Sequence, residues 1–179
     1  MANMEGSSRQ RSMVTGMFRD RESAERAYQA LPARGYSDRD INLAMSDDTR
    51  RRYFSDSSVE TELGSKATEG AGVGGAVGAT IGAIAAAVAA VGTSIAIPGL
   101  GLVIAGPAAA ALAGAGAGGV TGGLIGALVG WGIPEERVKH YEAGIKDGGI
   151  VMGVTPRSDE DAEYIEREWK NNRGEHVYR

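Results

Sequence analysis

The stretch GAGVGGAVGATIGAIAAAVAAVGTSIAIPGLGLVIAGPAAAALAGAGAGGVTGGLIGALVGWGIP, residues 70–134, decides the fold, because it contains no Asp, Glu, Lys, Arg or His. Its glycines recur with a fixed step. Gly70, Gly74, Gly78 and Gly82 fall four apart, and Ala86 and Ala90 continue the row. Later Gly114, Gly118, Gly122, Gly126 and Gly130 repeat the spacing, preceded by Gly106 and Ala110. Residues four apart lie along one ridge of a helix, so each arm would carry a groove free of side chains. Two such grooves let backbones approach closely.

Each interior glycine costs a helix about 0.8–1 kcal/mol relative to alanine, so about five per arm cost several kcal/mol. Nothing local repays that, and the arms must pack against each other or against copies of themselves. Proline and glycine at Ile97-Pro98-Gly99 mark the turn between two helices, and Pro107 suits the first position of the second. The expectation is a glycine-zipper helical hairpin over 70–133, with Pro98, Gly99 and Pro107 at its turn.

The run is long enough for two spans of about 20 residues. Val73, Val77, Ile81, Ile84, Val88, Val91 and Ile95 give bulk to the first arm, and Leu112, Val120, Leu124, Ile125, Leu128 and Val129 to the second. The glycines and Thr80, Thr93, Ser94 and Thr121 oppose insertion. Trp131 falls where an interfacial aromatic would sit. Lys66, Arg137 and Lys139 are balanced by Glu69, Glu135 and Glu136, so positive-inside bias is weak. Two readings follow: a membrane hairpin, or a water-soluble oligomer with hairpins buried in its core.

The flanks are polar. Residues 1–12 have no apolar core, so they read as a disordered N-terminus rather than a secretory signal, which places the polar parts in the cytoplasm. Over 13–46, Met13 to Phe18 reads as a strand. Asp20 caps a helix with a stripe of Ala24, Ala27, Tyr28 and Leu31, with Pro32 and Gly35 near its end. Ile41, Leu43 and Met45 alternate with Asn42 and Ala44, as in a strand with one face inward. Residues 47–69 read as a linker leading into the hairpin, and Arg50, Arg51 and Arg52 are neutralised there by Asp47, Asp48 and Asp56. Over 134–179, Pro134 opens a helix with Glu135 and Glu136 in its first turn and Gly148-Gly149 at its end. A strand follows over 149–155. Then comes a helix capped by Ser158 and burying Ala162, Ile165 and Trp169, and finally an edge strand from His176 to Tyr178. The whole predicts an α+β fold: a ferredoxin-like split β-α-β domain closed across the inserted hairpin.

The chemistry-bearing residues are sparse. No cysteine exists, which excludes disulfides, thiolate metal sites and cysteine nucleophiles. A net charge of −4 and a pI near 5.3 exclude a concentrated basic face for nucleic acid. Gly70, Gly72 and Gly75, like Gly114, Gly116 and Gly119, fit G-x-G-x-x-G, but no strand precedes them and no acidic residue follows at the required distance. A metal site from His140 and His176 would need a carboxylate brought close by the fold. Glu135-Glu136 and Asp159-Glu160-Asp161 read as first-turn helix charges rather than acid/base pairs. No catalytic residue, cofactor or small-molecule substrate is evident.

Several segments together resemble the bacterial general-stress or low-temperature-induced proteins that carry a glycine-zipper insert between two halves of a small α/β domain. They are Ile97-Pro98-Gly99-Leu100-Gly101, Ala105-Gly106-Pro107, Gly122 to Gly130 and the Gly132-Ile133-Pro134-Glu135-Glu136 junction. Tyr141-Glu142 with Gly144, and Gly148-Gly149 before an apolar strand, fit the same pattern. The resemblance covers about Met13 to Gly153 and is most specific at the Gly-Ile-Pro-Glu-Glu junction. It implies a stress-associated bacterial protein linked to the envelope or to assembly, and it brings no activity. The resulting expectation is a non-enzymatic protein that self-assembles as a homo-oligomer and associates with the cytoplasmic membrane through the hairpin. The alternatives are the soluble particle and a small-ligand sensory module.

Overall fold

The computed structural model describes residues 12–54, 94–97, 101–107, 109 and 123–179. The fold is mixed α+β around an antiparallel sheet of β1 (Val14–Phe18), β2 (Ile41–Ser46), β3 (Ser94–Ile97), β4 (Leu102–Ala105), β5 (Ile150–Val154) and β6 (Glu175–Tyr178). The order is β3-β4-β2-β5-β1-β6. The helices are α1 (Arg21–Gln29), α2 (Asp47–Phe54), α3 (Gly123–Gly130), α4 (Glu135–Lys146) and α5 (Asp159–Asn171).

The two flanks of the apolar run build one sheet. β5 lies between β1 and β2, with Val14 and Ile41 both opposite Val154 and with Phe18 and Met45 both opposite Ile150. Neither flank alone could pair these strands, so closure across the run is what buries the core. Leaving β3 and β4 aside, the strands stand in the order β2-β5-β1-β6, with α1 joining β1 to β2 and α5 joining β5 to β6.

The apolar run itself departs from the expected pair of helices. Ser94–Ile97 and Leu102–Ala105 are strands, paired from Ser94↔Ala105 to Ile97↔Leu102, and β4 pairs onward with β2 from Leu43↔Ala105 to Ser46↔Leu102. Pro98 and Gly99 lie outside the described residues, but the elements they join are two strands of the sheet. The described segments on either side of them are therefore paired strands, where two helices were expected. A short apolar run fits a helix or a buried strand equally well by periodicity. The β-branched Ile95, Ile97, Val103 and Ile104 favour the strand, and β2 offers a free edge for β4. Every residue of β4 is buried.

Each face of the sheet is covered. Ala24, Ala27 and Tyr28 of α1 and Ala162, Ile165 and Trp169 of α5 meet Val14, Phe18, Ile41, Leu43, Met45, Ile150, Met152 and Val154. Trp169 is fully buried and stands edge-on to Phe18, with centroids 5.8 Å apart. On the opposite face, Val138, Tyr141 and Ile145 of α4, with Leu128, Trp131 and Ile133, cover Met17, Ala44, Leu102, Ile104 and Val151. β2 is therefore buried on both faces, not one, because α4 occupies the side that Asn42 and Ala44 were expected to expose.

Local signals act as read. The Asp20 carboxylate accepts from the Ser23 N–H at 2.8 Å, and Ser158 Oγ accepts from the Asp161 N–H at 3.1 Å. Pro134 caps α4, and Gly148, at φ 93°, follows its last turn. In contrast, the first part of the expected 47–69 linker is the helix α2. Asp47 in its first turn binds Arg50 at 2.9 Å and also Arg51, and these bonds hold its carboxyl below the ordinary range. α2 is pinned to the domain by Thr49 donating to the Gly148 carbonyl at 3.1 Å and by Arg21 donating to the Tyr53 carbonyl at 2.9 Å.

Candidate helix-packing site

Three junctions of the glycine-rich run converge at one end of the sheet. Ser94, where β3 begins, lies opposite Ala105 at the end of β4. Gly106 follows with φ 102° and is pressed against the Ile41 carbonyl and Asn42, whose Cα a β-carbon at 106 would approach to 3.0 Å. Only glycine meets both demands. Trp131 packs over Gly153, where a β-carbon would lie 3.6 Å from the indole, and Gly153 is the register partner of Asn42. Gly106 and Trp131 thus lie beside the same strand pair, and Ala109 and Leu128 are buried in the same cluster as Trp131.

This corrects the position expected for Trp131. Its indole is buried in the domain instead of marking a membrane interface. The close neighbour of Gly153 is Met13, whose sulfur a β-carbon there would approach to 2.6 Å.

The last two glycines of the second row lie in α3, where their direction can be read. Leu128 is fully buried and Ile125 packs half-buried beside it, in the cluster that α4 shares with the sheet. At 3.6 residues per turn, Gly126 and Gly130 lie on the side turned away from Ile125 and Leu128. Val129, 43% exposed, borders that side. Gly126, itself half-buried, thus stands on the side of α3 away from the buried Leu128. Gly70, Gly74, Gly78, Gly82, Gly114, Gly118 and Gly122 lie outside the described residues, as do both G-x-G-x-x-G matches. Pro107 is exposed and helical, as its place at a helix start predicts.

No protein-family model, curated protein or solved structure matches the chain.

Among the described residues, no three His, Cys, Asp or Glu side chains are grouped to enclose a metal ion, and no helix is long and apolar enough to cross a membrane. Glu135 and Glu136 are exposed in the first turn of α4, as are Asp159 and Glu160 in that of α5, where Asp161 is half-buried and accepts from the Tyr36 hydroxyl at 2.9 Å. Two arrangements were not legible in the sequence. Tyr141, buried on α4, donates to the His176 carbonyl at 2.7 Å and accepts from the Thr15 hydroxyl at 2.8 Å, and burial pushes its phenol far up. The two histidines, His140 on α4 and His176 on β6, stack with centroids 4.5 Å apart. Neither depends on a local pattern, so only the pairing of β6 with β1 reveals them.

Proposed function

We propose that the chain is a non-enzymatic, self-assembling stress-response protein. In this reading a ferredoxin-like split β-α-β domain displays two glycine-zipper arms, residues 70–93 and 107–130, joined through the β3–β4 hairpin. The observation that carries it is the place of Gly126 and Gly130 on α3, on the side of the helix away from the buried Leu128. A helix that kept these glycines only to approach its own sheet would turn them inward. Turned away from Leu128, they suit a second glycine-rich helix, from the same chain or from another copy. The resemblance to glycine-zipper stress proteins supports the biological setting, and the strand order β2-β5-β1-β6 supports the ferredoxin-like assignment.

Light scattering on the purified full chain, with and without detergent, tests this. The parent should form a discrete oligomer, and Gly126→Leu with Gly130→Leu should disperse it while circular dichroism keeps the α+β signature. A double variant that assembles like the parent would remove the ridge as the contact.

The absence of charge from 70 to 134 favours a second reading, in which the arms also enter a lipid bilayer. Flotation with vesicles of bacterial lipid separates the two. Carbonate-resistant flotation supports insertion, and a detergent-independent particle that stays in the dense fraction supports the water-soluble assembly.

A further inference from the structure

We infer that His140 and His176 form a surface site for a divalent transition-metal ion of the zinc, nickel or copper class, held by two imidazole nitrogens and otherwise open. They are the chain's only histidines, and the fold brings them from a helix and an edge strand into a stack with 4.5 Å between centroids and 16° between planes. Both are exposed, and neither ring engages in a hydrogen bond among the described residues. Rotations about the side-chain bonds that turn the two rings out of their parallel stack would let one nitrogen of each converge to about 3.3 Å, the span of adjacent ligands on a tetrahedral ion with bonds of about 2.0–2.1 Å.

The backbone is built to hold this pair. Between Thr15↔Tyr178 and Met17↔Glu175, β6 carries one more residue than β1, and the resulting bulge places His176 at φ 49°. Glycine usually fills such a position, because the left-handed conformation costs an ordinary side chain about 1–2 kcal/mol. Tyr141, next to His140 on α4, fixes the bulge by bonding the His176 carbonyl at 2.7 Å. One helix thus supplies a ligand and anchors the other. A histidine kept at a strained, exposed position, with both nitrogens free, is better explained by ligation than by packing.

The surroundings leave the site open. On α4, Glu136 lies one turn before His140, and Arg137 and Lys139 flank it. Arg137 is engaged over the Tyr178 ring at 4.4 Å. On β6, Glu175 is bound by Arg19 at 2.6 Å, and Tyr178 follows His176 at 6.4 Å between ring centroids. With no third ligand grouped among the described residues, water or an external donor would complete the coordination.

Calorimetric titration of the metal-free full chain with zinc chloride tests the site. His140→Gln and His176→Asn are the informative variants, since His140 is exposed and asparagine tolerates the left-handed backbone at 176. One ion per chain should bind at pH 7.5 and weaken about ten-fold or more in each variant. Magnesium, which prefers oxygen ligands, should give no heat. The parent's melting curve should rise with zinc, and those of the variants should not. Absence of saturable zinc binding up to millimolar concentration, or binding that survives either substitution in a folded variant, would overturn the assignment.

Discussion

Gly144 of α4 sits directly on Met17 of β1: a β-carbon at 144 would run into the methionine sulfur and come 2.8 Å from its methyl carbon. Met17 is itself buried, so it cannot swing aside into solvent. This contact sets how closely α4 lies on the sheet, and with it the positions of Tyr141 and His140.

Gly144→Ala should therefore destabilise the domain, although alanine is the better helix former by about 1 kcal/mol. Overpacking costs about 1–3 kcal/mol and should exceed that gain. Thermal unfolding should show a net loss of about 1–2 kcal/mol, partly restored by adding Met17→Ala. A melting temperature raised by Gly144→Ala would contradict the close approach.

Tyr141→Phe leaves the Thr15 hydroxyl and the His176 carbonyl without their partner. A buried polar group left unsatisfied costs about 1–3 kcal/mol. Urea unfolding should register a loss in that range. Thr15→Val in the same background should cost less than it does alone, because the two residues share one bond.

Ile104 of β4 distinguishes a strand in the core from an apolar arm outside it. Its side chain is fully buried on the α4 face, so Ile104→Ala should cost about 2–4 kcal/mol in global unfolding. An alanine that left the domain's melting unchanged would mean that residues 102–105 do not belong to the sheet.

Stability should fall at both extremes of pH. Hydrogen bonds from Ser37, Lys170 and Arg19 respectively hold Asp40, Glu166 and Glu175 below the ordinary carboxylate range. Groups with depressed folded values stabilise above about pH 4 and lose that contribution as the pH falls through those values. These groups lie half-exposed at the surface, so the acid effect should be modest and screened by salt. Burial raises the phenols of Tyr28 and Tyr141, the former also through its bond to Asp38. Their contribution is complete below about pH 10 and declines as the pH rises toward the folded values. Absorbance of the six tyrosines at alkaline pH should show a late class that ionises only with loss of the circular dichroism signal.

Much of the α/β part was legible locally. Asp20 and Ser158 sit where a side-chain oxygen can reach a helix N–H, and the stripes at Ala24, Ala27 and Tyr28 and at Ala162, Ile165 and Trp169 repeat at helical spacing. The second cover of the sheet was not. Val138, Tyr141 and Ile145 announce an apolar face on α4 but not which side of the sheet receives it. The β-hairpin was missed because residues 94–105 are apolar without a break, so neither helix nor strand leaves an alternating polar trace. Its β-branched residues were the available signal.

The amino-acid order alone determined the helix starts and stops, the alternating strands on the flanks, and a charge-free run whose glycines cannot support free helices. These are short-range consequences of capping, periodicity and backbone entropy. Tertiary structure alone decided that Leu102 to Ala105 would complete β2's free edge, that Trp131 and Leu128 would be buried in the domain, and that His140 would meet His176. Each of those depends on which distant surface is available to bury or to pair, and no local stretch of chain contains that information.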